Sequence, residues 1–152
     1  MNVLIVEDDL NKLKQISELL HKELPGASIV ERHSYQSGLK EVMTTRPDFV
    51  VLDMSMPTYD VKSGQQGGRT RAYAGREILS ELARKRLKCK VVVVSQFESF
   101  HDPIEGRITL EELKVLLRRQ FESNYLGAIY YNPAEAAWRT ELTAILDQVR
   151  GM

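Results

Sequence analysis

Four places along the chain put groups capable of chemistry at the ends of short apolar runs. Glu7, Asp8 and Asp9 follow Val3–Val6, Asp53 follows Phe49–Leu52, Ser95 follows Val91–Val94, and Asn132-Pro133 follows Ala128–Tyr131. Runs of this length, rich in Val and Ile, suit strands buried on both faces of a parallel sheet. If those strands are neighbours, three or four carboxylates converge on one pocket. Crowded carboxylates repel one another and raise each other's pKa unless a cation neutralises them. Hard oxygen donors in a partly hydrated site suit Mg2+, which keeps several waters in an octahedral shell. A carboxylate beside that ion can attack a phosphoryl group, because the metal offsets the repulsion between two anions. An aspartate at a strand end is also a common turn residue or helix cap. The common register of Glu7, Asp8, Asp53 and Ser95 is what points to a site.

The elements that must position these groups alternate from end to end. A weaker apolar run at Ser28–Val30 completes a set of five strands. Between them, apolar residues recur at helical spacing. Leu10, Leu13, Ile16, Leu20 and Leu24 form one stripe, ended by Pro25-Gly26. Tyr35, Leu39, Val42 and Met43 form a second, closed by Arg46-Pro47. Ile78, Leu79, Leu82 and Leu87 form a third, Leu110, Leu113, Leu116, Leu117 and Phe121 a fourth, and Ala134, Trp138, Leu142, Ile145 and Val149 a fifth. Strand–helix alternation predicts an α/β fold, a (βα)5 doubly wound parallel sheet with helices on both faces. Ligands of such sheets bind outside the carboxyl ends of the strands, where the acids lie. Two long stretches, Thr58–Ala74 after the third strand and Gln96–Ile108 after the fourth, read as irregular loops at that same end, and loops of such length are commonly functional.

Composition narrows the function classes. The 152 residues suit one domain, and 21 Lys+Arg against 21 Asp+Glu leave no net charge. That balance argues against a general nucleic-acid or polybasic membrane binder. No apolar run approaches the ~18 residues of a membrane span, and the acids after Val6 exclude a signal peptide. A single cysteine, Cys89, suits a reducing cytoplasm. His21, His33 and His101 lack metal-ligand spacing and read as surface residues, and the Gly-rich Ser63–Arg71 lacks the ending of a nucleotide-binding Walker loop.

The stretches Asn2–Asp9, Arg46–Pro57, Val91–Ser95 and Leu126–Pro133 make the sequence resemble the receiver domain of two-component response regulators. The Pro47-Asp48-Phe49-Val50-Val51-Leu52-Asp53-Met54-Ser55-Met56-Pro57 run is the most specific of them. The resemblance implies a flavodoxin-like fold with strand order 2-1-3-4-5. It implies that Asp53 is the phosphoacceptor and that Mg2+ is held by Asp8 directly, by Glu7 through water, by Asp53 and by the backbone carbonyl of Ser55. Ser95 would hydrogen-bond the phosphoryl oxygen, and Asp9, one step past the acidic pair, is placed to cap the first helix. The implied partners are a histidine kinase or phosphotransfer protein and an output protein of unknown identity, with no nucleic acid and no membrane. The expected role is a cytoplasmic phosphorelay protein and not an enzyme, beyond self-phosphorylation from small donors and autodephosphorylation. Residues 1–152 read as a single receiver domain. The fifth stripe runs almost to Met152, so output would pass through protein contacts on the fourth helix, fifth strand and fifth helix.

The chain departs from the family pattern in its switching residues. Asn132 stands where the family has a lysine, Ile129 at the aromatic switch position, and Gln96 where a small residue is usual. An Asn before Pro133 also reads as a helix N-cap. Arg69 or Arg71 could fold over a phosphoryl group to supply the missing charge. Two other readings stay open: a pseudo-receiver that signals by binding alone, and a small Mg2+-dependent phosphatase or phosphotransferase. The phosphatase lacks a second Asp shortly after Asp53 to act as acid/base.

Overall fold

The structure, a computed structural model, describes residues 1–60, 68–102 and 106–152. The apolar runs become strands β1 (Asn2–Val6), β2 (Ser28–Arg32) and β3 (Phe49–Leu52). Two short strands follow, β4 (Met56–Pro57) and β5 (Thr70–Arg71), then β6 (Lys90–Ser95), β7 (Ser99–Asp102), β8 (Gly106–Thr109) and β9 (Tyr125–Tyr130). The helices are α1 (Leu10–Glu23), α2 (Tyr35–Thr45), α3 (Ala74–Arg84), α4 (Leu110–Gln120) and α5 (Ala137–Arg150).

The main sheet has the order β2-β1-β3-β6-β9, with every pair parallel. Counting its strands alone, this is the expected order 2-1-3-4-5. Successive strand residues face opposite sides, and both sides are apolar. Leu4, Val6, Val50, Leu52, Val91 and Val93 pack with Val42 of α2, Ile78 and Leu79 of α3, and Leu113 and Leu117 of α4. Val3, Ile5, Val51, Val92 and Val94 pack with Leu13 and Ile16 of α1 and Trp138 and Leu142 of α5. Two cores, one per face, thus fix the register of every strand end. No helix among the described residues is long and apolar enough to cross a membrane.

Three local expectations differ from the structure. The two long stretches are not wholly irregular: β4 pairs antiparallel with β5, and β7 with β8. Strands of two and four residues leave too little alternation to be read from sequence, although the paired Phe100 and Ile108 are both buried. The segments 61–67 and 103–105, including Lys62 and Ser63, lie outside the described residues. In α1, Leu10 is 70% exposed and not part of the buried stripe; Lys12 is buried instead. At the far end, Asn132 caps a turn and not a helix: its Oδ1 accepts from Ala134 N at 3.0 Å, and α5 starts only at Ala137.

Candidate functional site

Strand register brings the expected acids together. Asp53 N donates to Val6 O (3.0 Å), so β1 and β3 end side by side with Glu7 and Asp53 adjacent. One carboxylate oxygen each of Glu7, Asp8 and Asp53 lie within 4.8 Å of one another, with Asp8 exposed and the other two buried. The chain turns sharply beyond Asp53, and Gly75 at the start of α3 donates its N–H to Met54 O at 3.0 Å. A Cβ on Gly75 would lie 2.6 Å from the Asp53 carbonyl oxygen, so only glycine lets α3 approach this closely. Asp9 ends the acidic run by accepting from Asn11 N and Lys12 N, capping α1.

The two oxygens of Asp53 are treated differently. Oδ1 accepts from Met54 N at 2.7 Å and sits 3.3 Å from Lys12 Nζ. Oδ2 is buried with no hydrogen-bond partner among the described residues. Glu7 is held on both sides: its Oε1 accepts from Asp9 N at 3.0 Å, and its Oε2 lies 2.7 Å from Lys12 Nζ. Burial pushes the Glu7 carboxyl up to about 9, with the Asp53 charge adding to the rise and Lys12 opposing it. Burial likewise raises Asp53, against the pull of Lys12. One ammonium cannot balance two buried carboxylates, so burial favours keeping a proton on the pair over ionising both.

Lys12 is the residue that the sequence reading missed. It projects from the first turn of α1 into the pocket with 1% of its side chain exposed, and it also donates to Val94 O (2.7 Å) and Gln96 Oε1 (2.8 Å). The signal was its spacing: Lys12 stands four residues before Ile16 and seven before Leu19, on the buried stripe of α1. Other groups have partners of their own. Ser95 Oγ, fully buried, accepts from Phe97 N at 3.0 Å within its own turn. The Arg71 guanidinium lies 4.3 Å over the Tyr35 ring and 3.1 Å from Glu77 Oε2, so it is engaged away from Asp53. Arg69 is exposed and meets the fold through its carbonyl, which accepts from Thr58 N. His21, His33 and His101 are all exposed.

A parallel five-stranded α/β sheet of order 2-1-3-4-5, with an acidic pocket at the carboxyl ends of its first and third strands, defines a doubly wound fold whose chemistry sits at its topological switch. The sequence profile of the response regulator receiver domain matches residues 3–109. The chain belongs to that family. It is similar to the uncharacterized protein y4jR of Sinorhizobium fredii, with 33% identity covering 93% of this chain and 94% of that one. It is also similar to the Detocs response regulatory protein DtcB of Enterobacter cloacae, at 23% identity over 93% and 95% of the two chains. Among solved structures, the response regulatory domain of protein mrkE from Klebsiella pneumoniae superposes with a TM-score of 0.65. That match has 16% identity over 99% of this chain and 96% of that one, and it bears on the fold alone.

Receiver domains bind Mg2+ at their acidic pocket, and the residues present here fit that ion. Three carboxylates bring one oxygen each within 4.8 Å of one another, a set of hard donors of the kind that Mg2+ prefers.

Proposed function

We propose that residues 1–152 form a single receiver that accepts a phosphoryl group on Asp53 and passes the signal on by protein contact. The observation that carries this reading is the asymmetry of Asp53: Oδ1 is held by Met54 N and Lys12, while Oδ2 has no partner among the described residues. A carboxylate so held is oriented with one oxygen in reserve for a new bond, which lowers the entropy cost of attack. Its donor would be a phosphohistidine on a histidine kinase or phosphotransfer protein. The new bond joins an Asp53 oxygen to phosphorus as the donor's N–P bond breaks. That electron pair stays on an imidazole already protonated at its other nitrogen, which leaves neutral.

Asp8, Glu7, Asp53 and the Ser55 carbonyl are the groups that would hold Mg2+, which supplies charge neutralisation for an incoming phosphoryl group. Ser95, at the end of the neighbouring strand β6, is the hydroxyl that would turn toward a loaded Asp53. A cytoplasmic setting and output through α4, β9 and α5 complete the reading. Alignment along nearly the whole length of both curated relatives supports one receiver unit.

The test is intact mass spectrometry after incubation with a small acyl phosphate and Mg2+. Wild type should gain one phosphoryl group, and Asp53→Asn should gain none. A phosphoryl group on the Asp53→Asn protein would contradict the assignment. No adduct on wild type would turn the reading to a binding module that signals without phosphate, and sustained donor hydrolysis to a phosphatase.

A further inference from the structure

Lys12 Nζ stands among four oxygens: Glu7 Oε2 at 2.7 Å, Val94 O at 2.7 Å, Gln96 Oε1 at 2.8 Å and Asp53 Oδ1 at 3.3 Å. An ammonium has three protons, so four acceptors oversubscribe it. A group in that condition can change partners without leaving the pocket. Its position breaks two local rules. A cation in the first turn opposes the helix dipole, and the acid nearest to it on α1 is the Asp9 cap, already engaged with Asn11 N and Lys12 N. A lysine this buried also loses its hydration, which several hydrogen bonds must replace. Packing supplies no reason for a charge there, since the neighbouring stripe of Leu13, Ile16 and Leu20 is wholly apolar. Rules broken together at one residue beside a pocket mark a functional position.

Two other candidates for a countercharge, among the described residues, are engaged with other partners. Asn132 is neutral, and its side-chain oxygen is occupied by Ala134 N. Arg71 is shared between Tyr35 and Glu77. Among the described residues, Lys12 makes the only ion pair with Asp53 or Glu7.

We propose that Lys12 is the phosphoryl-binding cation of this receiver, with the charge delivered from the first helix and not from the end of the last strand. The proposal rests on Asp53 being the acceptor. When Asp53 carries a phosphoryl group, Nζ donates to one of its oxygens and keeps Glu7. The contact given up is the one to Gln96, the neutral acceptor that sits on a movable side chain and not on the strand backbone, because a doubly charged phosphoryl oxygen is the stronger acceptor.

The experiment uses beryllofluoride with Mg2+ on the full chain, followed by fluorine NMR for occupancy and by the 15N resonance of Lys12 Nζ. Wild type should bind the probe with a displaced Nζ resonance. Lys12→Met should bind it about ten- to hundredfold more weakly, the range that a hydrogen bond to a charged group commands. Equal affinity in wild type and Lys12→Met would overturn the proposal while leaving Asp53 as acceptor. So would an Nζ resonance that stays unmoved at full occupancy, a readout that needs no variant to fold. Failure of wild type to bind the probe at all would remove both the proposal and the reading beneath it.

Discussion

At the β1–α1 corner of the pocket a lysine reaches inward from a helix, whereas at the β9–α5 corner an asparagine turns back onto its own chain. Lys12 gives its ammonium to Glu7, Asp53, Val94 and Gln96, and almost none of it meets water. Asn132 gives its carbonyl oxygen to Ala134 N two residues on. Of the two, only the first supplies charge to the acidic cluster. The difference teaches that a pocket's electrostatics are set by what reaches it in space. A cation lost from one strand end can be replaced from a neighbouring helix, provided the helix starts close enough. Asp9 ensures this by capping α1 immediately beyond the acids, which makes Lys12 the third helical residue.

Removing the cation should show the comparison at its largest. Lys12→Met leaves Glu7 and Asp53 facing each other in a buried site, and breaking a buried pair costs ~3–5 kcal/mol when the partner stays charged. The loss should be greater near pH 9, where Glu7 gives up its proton, than at pH 5, where Glu7 is protonated. Urea unfolding at the two pH values measures it. A loss independent of pH would show that Lys12 acts through packing alone.

Gly75→Ala should come next. Its Cβ would meet the Asp53 carbonyl at 2.6 Å, so either α3 or the acceptor loop must move. Overpacking of this kind costs about 1–3 kcal/mol, and it should weaken Mg2+ binding as well, because the same backbone carries Asp53 and Ser55.

Metal and pH sharpen the charge count. Glu7 has its folded pKa raised from 4.5 to about 9. Between those values the folded protein binds more protons than the unfolded chain. The metal-free protein should therefore be stabilised by this group below pH 4.5 and lose that contribution as pH rises through 9. Mg2+ binding expels the proton, so its stabilisation, ~1–3 kcal/mol at saturation, should grow with pH over the same window. Thermal melts with and without Mg2+ across that range measure both slopes. An Mg2+ effect flat with pH would place the ion away from Glu7.

The smallest effect belongs to the other corner. Asn132→Ala removes one turn hydrogen bond near the surface and should lower stability by about 1 kcal/mol or less, with no dependence on pH. A pH-dependent loss there would couple Asn132 to the carboxylates and erase the contrast.

Much of this architecture was legible in the sequence. Val3–Val6, Phe49–Leu52 and Val91–Val94 are apolar enough to declare buried parallel strands, and acids directly after two of them declare the pocket. The apolar spacing from Leu13 to Leu24 placed α1 correctly. Lys12 was not read because a lysine among polar neighbours resembles a solvent-facing residue, and Leu10 offered itself as the start of the stripe. Only three-dimensional packing shows that Leu10 points to water and Lys12 to the carboxylates. The β4–β5 and β7–β8 pairs stayed hidden for another reason: their hydrogen bonds join segments too short to carry a hydrophobic pattern.

The most direct measurement of the central claim is a high-resolution structure of the full chain with beryllofluoride and Mg2+ bound. The account predicts beryllofluoride on an Asp53 oxygen, Lys12 Nζ donating to a fluorine, and Gln96 released from Nζ while Asn132 stays in its turn. Beryllofluoride on Asp53 with Lys12 still holding Val94 and Gln96, and its fluorines met by another cation, would contradict it.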